Sequence, residues 1–156
     1  DVMRSYEKII YRKIKPEEYK FSSVDSELPK LSVECADSVL YAIEKLKNYH
    51  YDILVVDLRI PGINEPQMGG LEIISQSMAI DPLRQIIVVS GYGTIELVRR
   101  TFSEGVFDFI EKNQNAVDEL VVSIKKALSF RKEKMIRTGN PFIPFICIRK
   151  MLADVS

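Results

Sequence analysis

Cysteine is scarce in this chain. The 156 residues hold two, Cys35 and Cys147, and neither belongs to a CxxC pair. That excludes a disulfide framework and suits free thiols in a reducing cytoplasm, the expected location. Histidine is rarer still: His50 stands alone between two tyrosines and reads as a structural or surface residue rather than a catalytic base. With so few Cys and His, no metal-ligand cluster of those types exists. Net charge is also lacking. Lys+Arg and Asp+Glu balance at 22 each, so no long-range field draws the chain to nucleic acid or to a membrane surface. Any electrostatic function must be local. The apolar runs ILVV, IIVV and FIPFICI are far too short to cross a bilayer. No cleavable signal pattern, internal repeat or low-complexity tract occurs. The chain opens at Asp1 without an initiator methionine, as expected of a piece of a longer protein.

What is present is an ordinary globular composition, 46% hydrophobic and 28% charged, in a length that suits one domain. The organising stretch is YDILVVDLRIPG at 51–62. Its β-branched run from Ile53 to Val56 has no polar alternation, which fits a strand covered on both faces of a parallel sheet. The strand ends on Asp57, and Pro61-Gly62 closes the following turn. A strand is expected at residues 31–35, then a helix over 38–48 capped by Asp37, with Val39, Leu40, Ile43 and Leu46 inward. A second helix is expected over 70–78, with Leu71, Ile74 and Met78 on one face. A strand over 84–89 ends at Ser90-Gly91. Thr94 caps a helix running to Ser103, with Ile95, Val98 and Phe102 inward. A last strand spans 106–110, and the strongest helix runs from Ala116 to about Lys132 along Val117, Leu120, Val121, Ile124 and Leu128. Alternation of strands with helices of about ten residues means βαβ units with right-handed crossovers.

The flanks are less regular. In residues 1–30, EKIIYRKI at 7–14 suits a strand and Pro16 a helical first turn, while Ser22, Ser23, Asp25, Ser26 and Pro29 favour turns. Residues 133–156 form a linker or docking tail. Its Phe142, Ile143, Phe145 and Ile146 would leave an apolar patch on a monomer.

Three strand ends carry chemistry: Asp57, Ser90 and Lys112. In a parallel sheet these ends lie along one edge, where open α/β sheets bind ligands. The pieces VVDLRIPG at 55–62, VVSGYG at 88–93 and DFIEK at 108–112, in this order and spacing, resemble the receiver domains of two-component response regulators over about residues 31–130. The resemblance implies a flavodoxin-like, doubly wound three-layer α/β sandwich with a parallel five-stranded sheet in 2-1-3-4-5 order. It implies Asp57 as phosphoacceptor, Ser90 as the hydroxyl donor to a phosphoryl oxygen, Lys112 as its cation and Phe109 as a rotameric switch. It also implies Mg²⁺ bound weakly through Asp57 and the Arg59 backbone carbonyl, and partnership with a histidine kinase or phosphotransfer protein. Homodimerisation through the last two helices is implied as well, and no enzymatic role beyond self-catalysed phosphoryl transfer to Asp57 and its hydrolysis.

A carboxylate can attack phosphorus to give an acyl phosphate, and the added charge calls for a donor and a cation. Gly91 is read as leaving room beside the phosphoryl group. The sequence departs from the family in three places. The acidic pair that usually holds Mg²⁺ is missing at Lys13-Ile14, or displaced to Asp25 and Glu27 in SVDSE. Asn113 follows Lys112 where the family usually has proline. The loop after Asp57 carries extra residues, INEPQ at 63–67. Two further readings stand: a pseudo-receiver serving as a phosphorylation-independent interaction module, and, more distantly, a small nucleotide-binding enzyme. The latter lacks the third glycine after Gly91-Tyr92-Gly93.

Overall fold

The computed structural model of the chain describes residues 12–13, 33–64, 66–91, 93–138 and 146–147. Helix α1 (Val39–Asn48) precedes strand β1 (Ile53–Val56). Helix α2 (Gly69–Ile80) leads to β2 (Gln85–Ser90), and α3 (Ile95–Ser103) to β3 (Asp108–Glu111). Helix α4 (Ala116–Thr138) is followed by the two-residue β4 (Ile146–Cys147). The strands lie in the order β3-β2-β1-β4, and every pairing is parallel.

Side chains alternate across the sheet and build two cores. Ile53, Val55, Ile87, Val89 and Ile110 face α4, packing on Leu120, Ile124 and Leu128. Leu54, Val56, Ile86 and Val88 face the other way, onto Val39 and Leu46 of α1, Leu71 and Ile74 of α2 and Leu97 of α3. The continuous apolar runs are thus explained: both faces of β1 and β2 are covered, and each fully buried aliphatic contributes about 1.5–3 kcal/mol. The expected three-layer α/β sandwich is the fold.

Several local expectations need correction. Among the described residues the sheet has three full strands plus β4; the opening strand expected within 7–14 falls almost wholly outside them. Residues 33–35 lie outside any strand. In a 2-1-3-4-5 order the second strand pairs only with the first, and the place beside β1 is held here by β4, through Ile53 with Ile146 and Leu54 with Cys147. Within EKIIYRKI, residues 12 and 13 are helical; the rest of 1–30 lies outside the described residues, as do Phe142, Ile143 and Phe145. The N-cap of α1 is Ser38, whose hydroxyl accepts from the Tyr41 amide, rather than Asp37. Leu40 is 68% exposed, because Ala42 takes its expected place between Val39 and Leu46. On α3 the buried pair is Leu97 and Thr101, one turn apart, which leaves Ile95 and Phe102 outward. Helix α4 continues past Lys132 to Thr138, held by the buried Arg131 and Met135.

Candidate functional site

Asp57 follows directly on β1, Ser90 is the last residue of β2, and Lys112 follows β3. Register brings these ends together: Val56 pairs with Val88, and Ser90 with Glu111. The Lys112 amide donates to the Ser90 carbonyl at 2.9 Å, tying the second and third ends by backbone. The first and third meet through side chains, since the Lys112 ammonium donates to Asp57 Oδ2. The Asp57 side chain is only 4% exposed, against 23% for Lys112. A carboxylate so covered needs its counter-charge close by. Asp57 Oδ1 accepts from the Arg59 amide at 3.2 Å. Ser90 is buried at the neighbouring strand end.

The loop after Asp57 is closed at its base by helix α2. Met68 supplies no side-chain cap, so the first helical amides turn to the loop instead: Gly69 donates to Ile60 at 2.7 Å and Gly70 to Leu58 at 3.2 Å. At Gly70 the approach is backbone to backbone; a Cβ there would stand 2.3 Å from the Asp57 carbonyl oxygen. Glu72, one turn on, accepts from the amides of Ile63 and Asn64 at 3.1 and 2.8 Å, anchoring the extra residues of the loop. Gly70→Ala is therefore expected to push α2 off the Asp57 loop, costing about 1–3 kcal/mol as overpacking does. Urea unfolding of the variant measures it, and an unchanged midpoint would refute the close approach. Gly91 shows no such need: a Cβ there would meet Lys112 at an ordinary 3.8 Å.

Among the described residues no group of three or more His, Cys, Asp or Glu is placed to hold a metal ion. Mg²⁺ takes one or two protein carboxylates and completes its octahedral shell with water; the described residues offer it Asp57, which Lys112 engages, and no further carboxylate grouped with it. Asp25 and Glu27 lie outside the described residues. Asp52 does not assist either. It sits at the opposite end of β1, five residues or about 16 Å along the strand, and is bound there by Arg131 at 2.5 Å.

That second cluster was not anticipated from the sequence. Arg131 of α4, 1% exposed, bonds Asp52, Asp81 at 3.1 Å and His50 Nε2 at 3.1 Å. Burial alone would raise the Asp81 pKa, but the charge of Arg131, the Leu83 amide and Arg84 outweigh it and hold the carboxyl below its ordinary value. The available signal was Asp52, an acid directly before a fully apolar strand. Arg84 is likewise buried, donating to the Tyr51 carbonyl at 2.9 Å and to Ser77.

A doubly wound parallel sheet with a covered aspartate and a lysine at strand ends on either side of the Ser90 strand defines the receiver architecture. The chain matches the model of the response regulator receiver domain over residues 23–125 and belongs to that family. It is 32% identical over 106 residues to the C4-dicarboxylate transport transcriptional regulatory protein DctD of Rhizobium meliloti, covering 68% of this chain and 22% of that protein. It is 33% identical over 93 residues to the putative response regulator NtrX-like of Rickettsia felis, covering 60% and 19%. The chain thus spans about a fifth of the length of these curated relatives. Among solved structures, a CheY-like receiver domain protein from Methanospirillum hungatei JF-1 superposes with a TM-score of 0.64 at 20% identity, covering 85% of this chain and 89% of that one. Receiver domains act in two-component signal transduction, and phosphorylation on an aspartate is the family's function. No helix among the described residues is long and apolar enough to cross a membrane.

Proposed function

We propose that Asp57 is the aspartate that takes the phosphoryl group, with Lys112 as its charge partner, Ser90 as hydrogen-bond donor and Phe109 as the side chain that responds. The donor is a histidine kinase or a phosphotransfer protein, the partners receiver domains use. The observation that carries this reading is the covered contact between the Lys112 ammonium and Asp57 Oδ2 at the sheet edge. A carboxylate oxygen of Asp57 attacks the phosphorus of a phosphohistidine. A P–O bond forms as the P–N bond breaks, and the electron pair returns to the imidazole, which takes a proton from solvent. Lys112 then follows the negative charge from the carboxylate to a phosphoryl oxygen, and the Ser90 hydroxyl donates to another.

Calorimetric titration with beryllofluoride, a phosphoryl mimic, tests these roles. Lys112→Ala removes a charge-assisted bond of about 1.5–3 kcal/mol and should weaken binding roughly 10- to 100-fold. Ser90→Ala removes a neutral bond of about 0.5–1.5 kcal/mol and should cost about tenfold at most. Equal affinity of Lys112→Ala and the unaltered chain would remove Lys112 from the site.

Self-association through α3 and α4 belongs to the same reading. Ile95 and Phe102 on α3 and Val122 on α4 are exposed apolar side chains. Charges flank them, among them Arg100, ion-paired to Glu104, and Lys126. Charge reversal at Arg100 together with Lys126 should shift the sedimentation profile toward monomer. A profile identical to that of the unaltered chain would count against this interface.

A further inference from the structure

The seat of Phe109 rests on a residue with no side chain. Phe109 lies on β3 opposite Val88, and both pack with the core on the α3 side of the sheet. Ser90, two residues beyond Val88 on the same strand, points to that same face by alternation. It is therefore a diagonal neighbour of the ring, within aromatic reach. The ring edge closes over Gly93: a Cβ built there would stand 3.1 Å from Phe109 Cζ, 3.2 Å from Cε1 and 3.5 Å from Val98 Cγ2. Thr94, the next residue, caps α3 by accepting from the Leu97 amide at 3.2 Å. Ring, strand end and helix start thus share the space left by one missing methyl group.

Resting on the reading of Phe109 as the responding side chain, we propose that Gly93 is a positioning residue that holds the seat for the inward ring. It thereby couples occupancy of the Asp57 site to the start of α3. A Ser90 hydroxyl drawn toward a phosphoryl group leaves volume beside it that the inward ring fills, so phosphoryl and inward ring favour one another. A methyl group at position 93 would stand closer to the ring tip than ordinary contact allows, so the ring must give by a few tenths of an ångström, away from its seat and toward the open side of the edge strand β3. The backbone at Gly93 does not have positive φ, the only such glycine among the described residues being Gly105, so alanine is tolerated except for this contact.

The test is a double-mutant cycle in the full chain: Gly93→Ala, Phe109→Leu and both together, read by beryllofluoride affinity and by thermal unfolding. Gly93→Ala should weaken beryllofluoride roughly fivefold or more and lower the melting temperature. Both effects should shrink when Phe109→Leu has removed the ring. An equal effect of Gly93→Ala with and without the ring would overturn the proposal. If the unaltered chain binds no beryllofluoride, the phosphoacceptor reading fails, and the melting-temperature coupling still decides the steric claim: coupling upholds Gly93 as the seat, and additivity rejects it.

Discussion

Replacing Arg131 by methionine is expected to destabilise the protein by about 3–5 kcal/mol, the typical cost of stripping one partner from a buried ion pair. Asp52 is fully buried at the start of the organising strand, and Arg131 is 1% exposed. Methionine keeps most of the volume and the helix but takes the guanidinium away from the buried Asp52 charge. Adding Asp52→Asn removes that charge and should recover a large part of the loss. Recovery distinguishes electrostatic from packing effects, because both variants lack the guanidinium equally. The pH response follows from Asp81, whose carboxyl Arg131 helps hold below its ordinary value. A group depressed in the folded state adds stability above its unfolded pKa, near 3.8, and loses it as pH falls through the lower, folded value. Arg131→Met should therefore flatten acid unfolding in that range. Urea unfolding at neutral pH and near pH 3 reads both effects. A single variant as stable as the parent would show that the network is ornamental.

The parts of the fold legible in the sequence are those where local pattern and tertiary demand agree. Ile53 to Val56 reads as a doubly covered strand because nothing polar interrupts it, and the structure covers both faces. Asp57, Ser90 and Lys112 were legible as one group because strand ends of a parallel sheet must share an edge. The helix faces were less legible. On α3 the apolar spacing of Ile95, Val98 and Phe102 competes with that of Leu97 and Thr101, and Thr101 is inward because its hydroxyl bonds the Val98 carbonyl at 2.8 Å. A polar residue satisfied by its own helix carries no apolar signal to read. The Arg131 cluster was invisible for a different reason: its members, Asp52, Asp81 and Arg131, are far apart in sequence and meet only after α2 and α4 pack. The pairing of β4 with β1 is likewise long-range, joining residues more than ninety positions apart.

Asp57→Asn should abolish phosphorylation outright, the largest functional effect expected here. Asparagine keeps the size of the side chain and can still accept from the Arg59 amide, so the fold should persist. What is lost is the proposed nucleophile, the anionic oxygen, and the charge that Lys112 answers. Lys112, 23% exposed, can then turn to solvent, and its release should leave stability nearly unchanged. The combination of intact fold and absent reaction separates a nucleophile from a structural aspartate. The most direct measurement is the intact mass of the full chain after incubation with acetyl phosphate and Mg²⁺, followed by peptide mapping. The account predicts one added phosphoryl group, carried by the peptide containing Asp57, labile to hydroxylamine and absent from Asp57→Asn. An unmodified mass in the parent chain, or an adduct that survives Asp57→Asn, would contradict it.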